Sequence, residues 1–275
     1  MAMDNITLTS GMRQNLFSLQ KTAKSMDLTQ TRLSTGKKVN SALDDPIAFF
    51  AAQGHTQRSS DLAIRKDEMS EAIQTIKAAD NGITAVLDLI SSAKSLAQSA
   101  LANQSTSERA DLTAQYNDLI SQIATVAADS NYKGTNLLVD GQELNITFDE
   151  SGDSTLTVTG VDGTGGAVDG ATDWGAVDLG DSTDAINASI TQLDDARDQL
   201  RIDSTALSNK LSTITIRQDF TDNMINTLED GAANLTNADL NEEGANLLML
   251  QTRQQLGTTS LSMASQAAQS VLRLF

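Results

Sequence analysis

The chain has no cysteine, one proline and one histidine among 275 residues. Without cysteine, disulfides, thiol chemistry and Cys/His zinc sites are excluded, while the redox compartment stays open. Aromatic residues make up 3% against 39% hydrophobic residues. A core of Ala, Leu, Ile and Met suits close helix packing better than a deep small-molecule pocket. The lone His55 stands in Gln53-Gly54-His55-Thr56 with no HExxH around it, as a surface or interfacial histidine. No GxSxG, Walker or GxGxxG pattern occurs. Asp44-Asp45 and Asp194-Asp195 are not catalytic pairs, because adjacent residues on a helix point apart. An enzyme is therefore not expected, and no metal or cofactor site is implied.

Basic charge is scarce. The net charge is −17 with a pI near 4.2, which argues against nucleic acid and anionic membranes as partners. Its distribution is uneven: residues 1–40 carry +4, residues 244–275 carry +2, and the remainder carries −23. The ends and the middle are expected to face different environments. No stretch reaches membrane-spanning length. The opening residues also lack the basic and apolar regions of a cleavable signal peptide, so any export is expected to use another route.

The single proline closes the most organised stretch of the chain, Arg32 to Pro46 (RLSTGKKVNSALDDP). Gly36 is the expected C′ residue of a first helix, and the Asp44-Asp45 pair supplies an N-cap before Pro46 at the first position of a second. Before the break, Met12, Leu16, Leu19, Ala23, Met26, Gln30 and Leu33 repeat with heptad spacing, a thin seam. After it, a helix is expected from Pro46 to about Ala102, with Leu62, Met69, Ile73, Ile76, Ile83, Val86, Ile90, Ala93 and Ala97 on one face. At ~1.5 Å per residue it would measure on the order of 80 Å, and it needs antiparallel partners.

A third helix, N-capped by Ser107, carries Leu112, Tyr116, Leu119, Ile123 and Val126. The period then changes. Leu144, Ile146 and Phe148, then Leu156 and Val158, alternate around Glu150–Asp153 as a β-hairpin. Residues 160–184 are rich in Gly and Asp, but no twelve-residue loop ends in glutamate, so a solvated loop is expected rather than a calcium site. A fourth helix runs from Ile186 to Leu228 with heptad steps throughout. A softer stretch, Asp230 to Gly244, precedes a last helix bearing Leu247, Leu250, Gln254, Gly257, Leu261, Ala264, Ala268, Val271 and Phe275.

The expected fold is mainly α, a long antiparallel helical bundle or coiled coil with a small β-hairpin insertion. Residues 1–42 and 234–275 form a discontinuous terminal coiled-coil domain. Residues 43–233 form a helical body holding the hairpin and Gly/Asp-rich loop at about 131–183. The terminal arms are too thinly apolar to hold a compact monomer. They are expected to order on assembly with other copies.

The stretch RLSTGKKVNSALDD resembles the signature of bacterial flagellins. So do Ala79-Asp80-Asn81-Gly82-Ile83, Asn131-Tyr132-Lys133-Gly134-Thr135-Asn136-Leu137-Leu138, Leu256-Gly257-Thr258-Thr259-Ser260 and the tail Gln269–Phe275. The resemblance implies a secreted, extracellular subunit that polymerises with itself into the flagellar filament, in a short form lacking the large outer domains. It implies an inner layer built by the arms through Met12, Leu16, Leu19, Met26, Leu33, Leu247, Leu250, Leu261, Ala268, Val271 and Phe275. A hinge between layers would be made by Arg32, Leu33, Ser34, Gly36, Asn40, Asp44, Asp45 and Pro46. Type III export is implied, with an export chaperone, cap and hook-junction proteins as partners.

Two stretches depart from the family pattern. Pro46-Ile47-Ala48-Phe49-Phe50 replaces the usual small residues, and Asp-Asp-Pro there is similar to hook–filament junction proteins, the alternative within the family. A secreted monomeric helical adhesin is the alternative outside it. At Ser91, Ser92, Lys94 and Leu96, flagellins recognised by the innate Toll-like receptor carry an Arg/Glu-rich face. The glutamate and leading arginine are missing here, so purified monomer is expected to respond weakly in a reporter-cell assay.

Overall fold

The computed structural model describes residues 10–163, 179 and 182–272. In chain order the elements are α1 (Ser10–Thr35), α2 (Pro46–Ala102), α3 (Thr106–Asp129), β1 (Glu143–Thr147), β2 (Thr155–Thr159), α4 (Thr183–Thr236) and α5 (Leu240–Leu272). The chain forms two compact units. One comprises Met1–Gln57 and Thr227–Phe275, and the other Arg58–Asn226; α2 and α4 contribute residues to each.

In the Arg58–Asn226 unit, Met69, Ala72, Ile76, Ala79, Ile83, Val86, Ile90, Ala93, Ala97 and Ala100 form one unbroken buried line on α2. Their alternating steps of three and four keep them on a single face. Against it lie Tyr116, Ile123 and Ala127 of α3, and Ile186, Leu193, Leu200, Leu207 and Ile214 of α4. Each fully buried Leu or Ile stabilises by about 1.5–3 kcal/mol, so this line is the main source of the unit's stability. Tyr116 is buried deeply enough that its hydroxyl is pushed up to about 12.

Polar contacts fix the antiparallel register of α4 on α2. Lys66 pairs with Asp222 at 2.6 Å and Lys94 with Asp194 at 2.6 Å. Between them Gln218 Nε2 donates to Ser70 Oγ at 2.7 Å, and Ser204 Oγ donates to Asp80 at 2.8 Å. All are partly exposed, so they contribute specificity more than energy.

The segment after α3 is held by two residues. Asn136, buried, donates from Nδ2 to the carbonyls of Ala127 and Ala128 at 2.8 and 2.9 Å and accepts the Leu138 N–H at 2.8 Å. It thereby closes two of the orphan carbonyls of α3. Gly82 of α2 is the matching recess: a Cβ there would collide with Ser130 Oγ and stand 2.6 Å from Leu138 Cδ1. The Asn81-Gly82 pair therefore marks close packing, and α2 passes through it without interruption. Between them Tyr132–Thr135 is a tight turn with Lys133 and Gly134 at φ +50° and +86°.

β1 and β2 pair antiparallel with Leu144 opposite Val158 and Ile146 opposite Leu156, burying Ile146, Val158 and the following Phe148. Asp149 accepts the Gly152 and Ser154 N–H groups at 3.1 Å each. The Ser151 hydroxyl first, and then those N–H groups, hold its carboxyl below the usual carboxylate range.

The structure corrects two sequence-based expectations and the first four residues of a third. The N-cap residue of α3 is Ser105 rather than Ser107, with Asn103 accepting the Ser105 N–H at 3.0 Å and bonding Glu108. Helix α4 continues to Thr236, so the expected soft stretch from Asp230 is largely helical and the break shrinks to Asn237–Asp239. Gly231 is no stop, because one glycine costs a helix only about 1 kcal/mol. Of the Gly/Asp-rich loop, residues 164–178, 180 and 181 lie outside the described residues, whereas Gly160–Gly163 belongs to the ordered hairpin base. There Gly160 N–H donates to Gln142 O at 2.6 Å and Val161 N–H to Leu137 O at 2.8 Å.

Candidate assembly site

The terminal unit is built on an antiparallel pairing of α1 with α5, and three contacts set its register. Arg32 Nη1 donates to Glu243 at 2.8 Å, Leu19 lies against Gly257, and Asn15 Nδ2 donates to Ser260 Oγ at 3.2 Å. Gly257 is required by proximity, since a Cβ there would stand 2.6 Å from Leu19 Cδ2.

On α5 the expected stripe is the one that faces inward. Leu250 is buried, and Leu247, Gln254, Gly257, Leu261 and Ala264 are half-buried. The side chains of Ala268 and Val271, and Phe275 altogether, lie outside the described residues. On α1 the inward face is rotated from the expected seam. Met12 is buried and Leu19, Met26 and Leu33 are half-buried, but the positions between them are Asn15, Thr22 and Thr29, with Thr22 and Thr29 buried. Leu16, Ala23 and Gln30 fall to the flank, and Leu16 is 41% exposed. Thr22 satisfies its hydroxyl by donating to Ser18 O at 2.9 Å, which lets a polar residue occupy a close seam.

The pairing leaves large apolar side chains in solvent: Phe17 and Leu28 on α1, and Leu248, Met249, Leu256 and Met263 on α5. Met249, Leu256 and Met263 are spaced by seven, a second heptad stripe on a helix that already uses one. Among the described residues nothing covers it. Arg13, Lys21 and Lys24 on α1 and Arg253 on α5 belong to the same basic ends.

The two breaks are one structure. Helix α1 ends at Thr35; Gly36 follows with φ +69°, its N–H returning to Arg32 O at 2.8 Å, the left-handed cap that glycine alone adopts without cost. The chain then pairs with the α4–α5 break. Lys38 N–H donates to Thr236 O at 2.7 Å, Ala238 N–H to Gly36 O at 2.9 Å, and Lys38 Nζ to Asn234 O at 3.2 Å. Val39 is buried beneath.

The two aspartates divide the capping work. Asp45 Oδ1 accepts the N–H groups of Ile47 and Ala48 at 3.0 Å each, the N-cap of α2 with Pro46 at its first position. Asp44 Oδ2 instead accepts the N–H groups of Asn40 and Ser41 at 3.0 Å each and closes the preceding turn. Those bonds hold its carboxyl below the usual carboxylate range. Asp239 caps α5 in the same way, accepting Asn241 N–H at 2.9 Å. Ser34 is exposed. The partners of the hinge, Thr236 to Asp239 and Glu243, went unnoticed in the sequence. Their signal there is Asp239 followed three residues on by Glu242 at a helix start.

The stretch at Ser91–Leu96 is less available than its composition implies. Ser91 and Ser92 are exposed, but Lys94 is held by Asp194 and Leu96 packs on the core. Among the described residues no cluster of His, Asp and Glu could hold a metal, and no helix is long and apolar enough to cross a membrane.

Residues 7–143 match the family model of the bacterial flagellin N-terminal helical region. Flagellin FljM of Caulobacter vibrioides is 30% identical over 281 residues, covering 100% of each chain. Flagellin FljO of the same organism is 29% identical over 280 residues with the same coverage. A flagellin of Brucella melitensis is 26% identical over 281 residues, covering 99% of each. A crystal structure of Bacillus cereus flagellin aligns with TM-score 0.48 and 19% identity, over 56% of this chain and 88% of that one.

Proposed function

Because this chain belongs to the bacterial flagellin family, we propose that it is the structural subunit of an extracellular flagellar filament, polymerising with its own copies for swimming motility. Full-length similarity to flagellins of matching size carries this reading. The uncovered heptad stripe Met249, Leu256 and Met263, with Phe17 and Leu28, supports it physically. A helix pair with that much exposed apolar surface lowers its free energy by packing against further helices.

The residues fall into roles on this reading. Residues 1–42 with 234–275 form the inner layer around the filament axis, through Met12, Leu16, Leu19, Met26, Leu33, Leu247, Leu250, Leu261, Ala268, Val271 and Phe275. Residues 43–233 form the layer outside it. The paired breaks, with Arg32, Leu33, Ser34, Gly36, Asn40, Asp44, Asp45 and Pro46, join the two. The basic ends then sit inside and the acidic body outside. Export proceeds through the flagellar type III apparatus, with a chaperone that shields the α5 stripe, a cap that folds the subunit at the tip, and junction proteins at the base.

Seeded growth tests it. Purified chain added to short filament seeds gives long filaments by electron microscopy. A chain that stays monomeric on competent seeds would contradict the assignment.

A further inference from the structure

The turn into α2 carries three large apolar side chains in solvent: Leu43 is 96% exposed, Ile47 83% and Phe50 61%. Ile47 and Phe50 lie one turn apart on one helix face, and Leu43 precedes them on the turn. The knob is rigid. Asp44 and Asp45 fix the backbone by the bonds given above, Pro46 fixes φ, and Phe49 meets Phe50 edge to face at 5.6 Å. Scattered exposed apolar residues need no explanation, but a braced group of three next to two carboxylates marks a contact surface.

A pocket of complementary character lies in the Arg58–Asn226 unit. It measures about 170 Å³, with Leu62, Phe148, Phe220 and Met224 in its lining. A cavity of ~150 Å³ is enough for a benzene-sized group. Its charged lining is two cations, Arg58 and Arg217, and two carboxylates, Asp149 and Glu150. Arg58 is paired with Glu150 at 2.6 Å, and Arg217 lies over the Phe148 ring at 5.2 Å. Among the described residues no carboxylate is within ion-pair distance of Arg217. Phe220 is 55% exposed at the mouth.

We propose, building on the filament reading, that Phe50 of one copy's Leu43–Ile47–Phe50 knob seats in the Leu62–Phe148–Phe220–Met224 pocket of a second copy, with Leu43 and Ile47 on its rim. Asp44 and Asp45 then face Arg217 across the rim, Arg58 being already paired with Glu150. The apolar side chains exclude water, and the opposite charges select the orientation. Knob and pocket are different surfaces, so the contact is heterologous. Repeated from copy to copy, it extends a helical array instead of closing a dimer. It also gives a use to the large residues at 47, 49 and 50, where the family pattern has small ones.

The absence of native cysteine makes the test clean. Ile47→Cys is introduced in one preparation and Phe220→Cys in another; the two are mixed, assembled on seeds and treated with a short thiol–thiol cross-linker. Linked peptides spanning positions 47 and 220 are expected from filaments and not from the unassembled mixture. Ile47→Cys mixed with Ile202→Cys is expected to give no such link. Phe220→Ala is expected to raise the critical concentration for growth by about tenfold with monomer melting unchanged. If the parent chain elongates seeds but no 47–220 link forms, or one forms equally in unassembled protein, the contact is overturned and the filament reading stands. If the parent chain does not elongate seeds, both fall.

Discussion

The two compact units are made of the same residue types and reach opposite states of completion. The Arg58–Asn226 unit buries its apolar line on α2 from Met69 to Ala100 and returns α3, the hairpin and α4 onto it. The terminal unit pairs α1 with α5 across Thr22, Thr29, Gly257 and a single Arg32–Glu243 pair, and leaves Phe17, Leu28, Leu248, Met249, Leu256 and Met263 in water. Hydrophobic burial sets stability, so the first unit has a continuous core of its own, although Ile64, Ile202, Ile216 and Phe220 stay exposed on its surface. The second leaves apolar surface that, on the proposed function, other copies cover. On the proposed function, stability rests mainly on the first unit and assembly mainly on the second.

Substitutions should separate the two. The largest expected effect is on assembly: Phe17→Asp combined with Leu256→Asp should abolish seeded growth, read by sedimentation. Both sites are exposed, so the monomer's melting should stay within about 0.5 kcal/mol of the parent in stability. Next comes the body. Gly82→Val forces a side chain onto Ser130 and Leu138, and should destabilise by about 1–3 kcal/mol in denaturant unfolding.

The smallest effect is at the hinge. Asp44 is held below its ordinary pKa by the Asn40 and Ser41 N–H groups, so its contribution is present above the unfolded-state value. It is lost as pH falls through the lower folded-state value. Asp44→Asn should therefore flatten the acid limb of a thermal melting series below about pH 4, where an ordinary aspartate titrates. Near neutral pH it should be slightly less stable than the parent.

The body was largely legible in the sequence because each of its helices has one apolar face. Leu193, Leu200, Leu207 and Ile214 repeat every seven residues and all are buried, while Ile202, Ile216 and Phe220 on the same helix stay exposed and form no matching run. The α1 arm was harder to read because it has two. Leu16 and Phe17 compete with Met12, Leu19, Met26 and Leu33, and periodicity alone merges them into one seam. Gly257 lets α5 approach Leu19 closely, and Thr22 and Thr29 are buried on that same face. No pattern within α1 encodes that. The hinge was half legible: the caps at Gly36 and Asp45 follow from local chemistry, while the pairing of the two breaks depends on residues about two hundred positions apart.

The central claim is that the body completes itself and the arms are completed by other copies. Amide hydrogen exchange on monomer and filament, resolved by peptide, tests it most directly. Peptides from α2 between Met69 and Ala100 should be protected in both states. Peptides from Ser10–Thr35 and Leu240–Leu272 should exchange fast in the monomer and become protected by orders of magnitude in the filament. Arms already as protected in the monomer as the body, with no gain on polymerisation, would contradict it.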